Sequence, residues 1–423
     1  MTSAARITKA ADRDIDDMTI KVGTGMQQVL KGFRVVDFTQ IAAGPVCTMM
    51  LGDRGADVIK IEAPAGELGR QLGPPWQNGQ SVIFMALNRN KRSVVLDLKS
   101  DEGLQAAKQL ISTADILVES FRPGVMRRLG LDYESARSLN PKVIYCSISA
   151  YGQHSPDAQK AGVDGIVQAV SGLMSVCGVP GSEPSKVQPP VIDVSTGILA
   201  TLAVQDAILH RQLTGEGQWL DISMYESALQ LQQTSLASYF SSKEVPEPCG
   251  SGAPYSAPNE AYPTSDGWVM VAAYHPKRWQ AFCRLLALQQ YENDPRFATS
   301  TDRVGNRSEM NALVASAMRQ KSTQEWLGLF EEADILCAPV ANYADVAASA
   351  AFVEGGYKKS FLHAEAGQID VIRPYLPMAG VKKTVQISPA PSLGEHTQEV
   401  LNEFAANTGS GAPDMSARVG VRS

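Results

Sequence analysis

Asp193 is the residue whose type and setting most invite chemistry. It lies in Pro190-Val191-Ile192-Asp193-Val194-Ser195-Thr196-Gly197, between an apolar stretch and the beginning of a long apolar helix. A carboxylate in that place can cap the helix by accepting from its first N–H groups. It can equally act as a nucleophile beside converging N–H groups that stabilise an oxyanion. Spacing alone leaves both readings open. Asp164, followed by Gly165 and the apolar pair Ile166 and Val167, has the pattern of another helix-start cap. Gly250-Ser251-Gly252 is a turn whose backbone could approach a substrate, or a plain linker. Basic residues gather near predicted strand ends: Lys60, Arg70, Lys91, Arg92, Lys99, Arg122, Arg127 and Arg128. Such groups can hold phosphates, or simply face solvent as most Lys and Arg do.

Other chemistries are excluded by missing patterns. The first turn, Gln40-Ile41-Ala42-Ala43-Gly44-Pro45, has no G-x-G-x-x-G, and Gly23-Thr24-Gly25 precedes the first predicted strand and lacks the third glycine. Neither a phosphate-binding G-x-x-x-x-G-K-S/T nor a G-x-S-x-G nucleophile elbow occurs. The six cysteines and five histidines are scattered without metal-ligand spacing, so no structural metal is expected, and a reducing, cytoplasmic setting is. Net charge is -6, from 38 basic and 44 acidic side chains, which provides no field for nucleic acid. The longest apolar stretch, residues 198–209, is broken by Thr201, Gln205 and Asp206, so no membrane span is expected.

The elements that must position these residues follow from periodicity. Residues 34–38, 57–61, 93–97, 116–119, 143–149 and 219–224 read as short apolar strands, and residues 45–54, 101–112 and about 196–212 as helices between them. Ser100 is placed to cap the second helix, ahead of Asp101 and Glu102. Such alternation builds a doubly wound, mostly parallel α/β sheet. With 423 residues and 44% apolar composition, the chain has material for a second module. Prolines between 246 and 263 mark the change. The expected organisation is a polar extension over 1–30, a large α/β domain over 31–225, a linker and small α+β domain over 226–345, and a return with a tail over 346–423. Strand-like pieces at 369–372 and 384–387 are expected to rejoin the first domain.

Several blocks in order carry a resemblance. They are Val36-Asp37-Phe38-Thr39 through Ala43-Gly44-Pro45, then Leu51-Gly52-Asp53-Arg54-Gly55-Ala56-Asp57-Val58-Ile59-Lys60-Ile61-Glu62. Next come Asn88-Arg89-Asn90-Lys91-Arg92-Ser93, Leu96-Asp97-Leu98-Lys99 and Val118-Glu119-Ser120-Phe121-Arg122-Pro123-Gly124. Tyr262-Pro263-Thr264 and Gly394-Glu395-His396-Thr397 continue it, so that it spans about residues 30–402. In these the chain resembles the class III coenzyme A transferases of the CaiB/BaiF type.

The resemblance implies an obligate homodimer of interlocked rings, and it places Asp193 on the family's nucleophilic aspartate. It implies transfer of CoA from an acyl-CoA, with succinyl-CoA the default donor, to a small organic acid, with no permanently bound cofactor. Ile41, Ala42, Ala43, Leu96, Lys99, Ser120, Phe121, Arg128, Gly162, Val163 and Met224 fall where the family holds the CoA thioester. Lys99 and Arg128 would then meet phosphates, while Leu96 and Phe121 would face adenine or pantetheine. Gly250, Ser251 and Gly252, with the helix start, would supply oxyanion donors. The family's racemases place a histidine where this chain has Val163, so a 2-methylacyl-CoA racemase is a rival reading that lacks its base. A silent acyl-CoA-binding protein is a second rival. Formyl and oxalate transferases carry tyrosines at Val163 and Ile83, and a longer glycine run at 250–252. Their replacement here implies a larger acid, branched or dicarboxylic.

Overall fold

The computed structural model describes residues 29–375, 377 and 387–408. The strand-like piece expected at 384–387 and the polar extension lie outside them, apart from Val29, Leu30 and Ile387.

Short runs bounded by turns, most of them rich in β-branched residues, form β1 (Arg34–Phe38), β2 (Asp57–Glu62), β5 (Lys91–Val95), β6 (Ile116–Glu119), β7 (Ile144–Ser149) and β8 (Trp219–Ser223), while Trp76–Gln77 (β3) and Gln80–Ser81 (β4) make a two-residue hairpin. Six of these make one sheet in the order β5-β2-β1-β6-β7-β8, with every pairing parallel. The chain winds outward from β1 through β2 to β5, then returns past β1 to β6. The order therefore reverses between β1 and β6, and in open α/β sheets the crevice beyond the strand ends at that switch point is where ligands bind.

The helices on this sheet are α1 (Ala43–Gly52), α2 (Val82–Leu87), α3 (Asp101–Ser112), α4 (Val125–Arg128), α5 (Tyr133–Leu139), α6 (Asp164–Val170), α7 (Leu173–Val176), α8 (Val191–Thr214), α9 (Met224–Leu231) and α10 (Gln233–Ser242). Because strand side chains alternate, Val36, Phe38, Ile59, Leu117 and Tyr145 pack on α3 and α5 on one face. Val35, Val58, Ile116, Val118 and Ile144 pack on α1 and α8 on the other. Ser100 accepts from the Gly103 N–H and starts α3 as its sequence indicates.

Beyond α10, β9 (Asn259–Pro263), β10 (Trp268–Ala272) and β11 (Leu336–Pro339) form a separate antiparallel sheet. It packs on α11 (Pro276–Leu285), α12 (Ser300–Gly305), α13 (Arg307–Met318) and α14 (Thr323–Glu332) through an aromatic core of Trp279, Phe282, Phe297, Trp326 and Phe330. After α15 (Tyr343–Ala348) and α16 (Ala350–Glu354), the hairpin of β12 (Lys358–His363) and β13 (Gly367–Ile372) packs through Ile369 and Val371 on Phe84 and Met85 of α2. Finally α17 (Thr397–Thr408) lays Val400, Leu401 and Phe404 on the first face of the large sheet.

Two features of the structure, one of them a departure from the sequence reading, bear on function. Helix α8 begins at Val191 rather than near 196, because a carboxylate from another element satisfies its first N–H groups. The second is how closely α1 and α8 lie. A Cβ on Gly197 would sit 2.6 Å from Val46 Cβ and 2.7 Å from the Ala43 carbonyl oxygen. Only glycine lets the two helices approach this near, and both carry the candidate site at their N-terminal ends.

Gly197→Ala is therefore expected to overpack this contact and lower unfolding free energy by about 1–3 kcal/mol. Gly328→Ala, where an added Cβ meets nothing within 4 Å inside α14, is expected to stabilise by up to about 1 kcal/mol. Urea unfolding of both variants checks the pair; a neutral Gly197→Ala would show that α1 and α8 can part.

Candidate active site

The turn between β1 and α1 sits at the switch point and is held by side chains from four directions. Asp37 accepts the Thr39 N–H at 2.8 Å, and the Lys60 ammonium donates to the Thr39 carbonyl at 2.8 Å. Ser120 Oγ, arriving from beyond β6, accepts the Gln40 N–H at 3.0 Å. Glu67 Oε2 accepts the Ile41 N–H at 2.9 Å. Ile41 is thereby kept at φ 69°, a left-handed conformation that β-branched residues avoid. Below the turn the charges are fully buried. Lys91 donates to Asp37, Thr48 and Asn88, and Lys60 pairs with Glu67 at 3.4 Å. Burial alone would raise Asp37, but Lys91 and Lys60, with the Thr39 and Thr48 hydroxyls, bring it down to about 2. Burial lowers Lys91 to about 8 against the pull of Asp37.

The turn delivers an uncapped helix. Ala42, the N-cap of α1, offers no side-chain hydrogen bond, and the N–H groups of Ala43 and Gly44 find no partner among the described residues. Those two donors point out of the start of a ten-residue helix, where the backbone dipole favours negative charge.

Asp193 stands in the first turn of α8, close by through the Gly197 to Ala43 contact. It does not cap its helix. That task falls to Asp164, whose Oδ2 accepts the N–H groups of Ile192 at 2.8 Å and Asp193 at 3.1 Å. Asp164 was expected to cap α6, which it opens; its carboxylate instead crosses to α8, steadied by Gln168 Nε2 on Oδ1 at 2.6 Å. Gln168 also bonds both backbone groups of Val187, tying the segment before α8 into the same knot. The Asp193 carboxylate accepts no hydrogen bond among the described residues. Burial and then the Asp164 charge push it up to about 7. One turn on, the Thr196 hydroxyl is buried with no partner.

Other expectations need correction. The first-turn N–H groups of α8 cannot serve an oxyanion, because Asp164 and the Pro189 and Pro190 carbonyls already hold them. In the 250–252 turn, the Gly250 N–H bonds Gly178, the Gly252 N–H bonds the Cys249 carbonyl, and Ser251 Oγ accepts from Ala261. That turn is tied to the 177–179 segment and the small sheet, and of its three backbone N–H groups only that of Ser251 has no partner among the described residues. Leu96 is fully buried in the first-face core, so its side chain cannot face a ligand. Met224 is buried beside Ile192 and Val167, where it supports α8 from behind. Gly162 fits against Ala150 Cβ, which an added Cβ would meet at 2.6 Å.

The remaining expected residues lie on the loops and helices near the ends of the strands at the switch point. Val163 is exposed at the N-cap of α6, and Phe121 is half-buried, its N–H on Glu119 at 2.9 Å. Ser120 is half-buried with its hydroxyl on the turn. Lys99, Arg122 and Arg128 are exposed and form no ion pair among the described residues. The other cations are already used: Lys60 and Lys91 as above, Arg70 on Glu62 at 2.7 Å, Arg92 on Asp57, Glu399 and Glu403, and Arg127 on Asp132. Sequence reasoning passed over Glu67, Gln168 and Thr196. A lysine amid the apolar run of a central parallel strand, as Lys60 is, already calls for a buried acid such as Glu67.

Residues 30–397 match the family model described as CoA-transferase family III. The chain is 33% identical to the succinyl-CoA:glutarate CoA-transferase of Mus musculus, over 88% of this chain and 86% of that one. It is 34% identical to the succinate–glutarate CoA-transferase of Agrobacterium fabrum, over 89% and 95%. Among solved structures, a CAIB/BAIF family protein from Brucella suis superposes with a TM-score of 0.80 at 31% identity, covering 89% of this chain and 100% of that one.

The raised Asp193 makes a stability prediction with a definite sign. Between its ordinary 3.8 and about 7, the folded state keeps a proton that the unfolded chain has lost, so stability falls as pH rises through that window. Asp193→Asn removes this cost. It is expected to stabilise by about 2 kcal/mol at pH 8 and negligibly at pH 4, read by thermal melts across pH. A gain independent of pH would contradict the assignment.

Proposed function

From a chain that belongs to CoA-transferase family III, we infer a transferase that carries CoA from succinyl-CoA to a dicarboxylic acid by covalent catalysis on Asp193. The observation that carries this reading is the Asp193 carboxylate, half-buried and free of hydrogen bonds among the described residues, at a helix start beside the switch-point turn. A carboxylate stripped of donors loses little solvation when it attacks, and its raised basicity strengthens it as a nucleophile.

The reaction exchanges a thioester between two acids, and a third carboxylate is a chemically matched relay. Asp193 attacks the succinyl carbonyl, the C–S bond breaks, and CoA thiolate leaves a mixed anhydride. The thiolate then attacks the aspartyl carbonyl, releasing succinate and leaving an aspartyl thioester. The acceptor carboxylate attacks that thioester and frees the thiolate again. Attack of the thiolate on the acceptor's acyl carbon restores Asp193 and releases the new CoA thioester. Every step passes through a tetrahedral oxyanion. The uncapped N–H groups of Ala43 and Gly44 are the donors we assign to it, such donors being worth about 3 kcal/mol each. No permanently bound cofactor enters the scheme.

CoA lies, in this reading, across the crevice between the 39–43 turn and the 119–124 loop. Lys99 and Arg128, exposed and without an ion pair among the described residues, take phosphates through charge-assisted hydrogen bonds. Phe121 gives an apolar contact, and Val163 lines the acceptor end. The two relatives' names both join succinate and glutarate, which supports a dicarboxylic pair. We place the enzyme in the cytoplasm, in keeping with six free thiols.

The chain is proposed to work as an interlocked homodimer. Helix α8 is apolar enough to span a bilayer, with mean hydropathy 1.4, yet one side of it is core of the large domain. Its other side leaves Ile198, Leu202, Leu209 and Leu213 exposed, the last at 79%. A stripe of that length needs cover, and a second copy brings a matching one.

Asp193→Ala is expected to cut exchange by at least about a thousandfold while the protein stays folded. Intact-mass spectrometry after mixing the unaltered enzyme with succinyl-CoA should show a covalent adduct that the variant lacks. Exchange by the variant at full rate would end the mechanism. For the unaltered enzyme, kcat/KM should rise with pH to a plateau above about 7, and Asp164→Asn should move that midpoint down. Light scattering should give twice 45.4 kDa.

A further inference from the structure

We propose that Glu67 is a positioning residue for CoA. It makes no contact with the thioester itself and acts by holding Ile41 in the left-handed conformation that aims the 39–43 turn into the crevice. This rests on the reading above that the crevice takes CoA.

Glu67 is almost wholly buried, with a side-chain exposure of 2% beside a Lys60 at 0%. It is the N-cap of a short 3-10 turn, and its Oε2 accepts the Gly69 N–H at 2.7 Å. The same oxygen takes the Ile41 N–H at 2.9 Å, from a residue 26 positions away. Its other oxygen, Oε1, has no hydrogen bond and faces the Lys60 ammonium at 3.4 Å. A Cβ on Gly69 would come within 2.8 Å of that oxygen, so a larger residue there would push the carboxylate from its place.

What Glu67 holds is a conformation the sequence resists. Isoleucine at φ 69° is a genuine outlier, and such strain persists only when the surroundings impose it. Lys60 fixes the Thr39 carbonyl, Ser120 the Gln40 N–H, and Glu67 the Ile41 N–H. Of these three, Glu67 alone grips the strained residue, immediately before the uncapped start of α1. Without it the turn can relax toward negative φ, and the N–H groups of Ala43 and Gly44 lose their aim. Loss of preorganisation of this kind weakens CoA binding and, because those two N–H groups are the oxyanion donors assigned above, also slows acyl transfer at Asp193.

The test measures CoA affinity by isothermal titration calorimetry, with steady-state exchange alongside. Glu67→Ala should raise the Kd for CoA and the KM for succinyl-CoA about tenfold or more, and should lower kcat about tenfold or more through the misaimed oxyanion donors. Glu67→Gln keeps an acceptor but turns a neutral amide toward Lys60, and should weaken CoA about threefold. Adding Ile41→Gly to Glu67→Ala should recover part of the affinity, because glycine takes positive φ at no steric cost. An unchanged Kd in folded Glu67→Ala overturns the proposal, as does a loss that Ile41→Gly leaves untouched. Should Glu67→Ala not fold, an unchanged Kd in Glu67→Gln overturns it. Failure of the unaltered enzyme to bind CoA would instead remove the functional reading beneath it.

Discussion

Everything at the switch point depends on charges that water does not reach. Asp37, Lys60, Lys91 and Glu67 are each almost fully buried under one turn of backbone. Taking such groups out of water costs several kcal/mol apiece, and their attraction offsets that only when the remaining lone pairs and protons are also satisfied. Here they nearly are. Lys91 reaches Asp37, Thr48, Asn88 and the Pro45 carbonyl, and Lys60 divides itself between Glu67 and the Thr39 carbonyl. An apolar core of equal volume would be as stable, but it could not grip consecutive backbone groups of one turn. The network trades solvation for geometry, and the geometry it fixes is an uncapped helix start aimed into a crevice.

The two helix starts beside that crevice are treated in opposite ways. At α8, Asp164 fills the first N–H groups, which cancels most of the local positive potential and adds a negative charge near Asp193. At α1 no side chain among the described residues fills them, and the potential stays available. A nucleophilic carboxylate gains from the first arrangement, since a helix dipole pointing at Asp193 would hold it ionised but inert. A developing oxyanion gains from the second. The close approach at Gly197 brings the two helix starts near each other, so in the proposed mechanism the task of activating the nucleophile is separated from that of stabilising charge.

Much of this was legible in sequence where the signal was local. Residues 34–38, 101–112 and 116–119 form the elements their periodicity indicates, and Ser100 caps as its neighbours suggest. Asp193 was visible as a carboxylate at a helix start, but not its role there, because its rival for the cap lies 29 residues away. Leu96 could have been read correctly from alternation alone. It follows Val94 at the two-residue period of β5, and both side chains fall in the same core. The glycine turn at 250–252 was opaque for the opposite reason: its N–H groups find partners in Gly178 and Cys249, and nothing in the local string foretells that.

Helix α8 shows why a single chain's sequence misleads about its own surface. A helix that is apolar nearly all round reads as membrane-spanning or as wholly buried, and within one chain it is neither. One side supplies Ala200, Val204 and Ala207 to the sheet, where small residues let the helix lie close. The other side, from Val194 to Leu213, is left bare. Asp193 sits at the head of this same helix, so whatever covers the bare side also bears on the position of this carboxylate and its exclusion from water. If a second copy provides that cover, the desolvation that raises Asp193 belongs to the assembly as much as to the fold. Reactivity and assembly would then be two consequences of one apolar stripe.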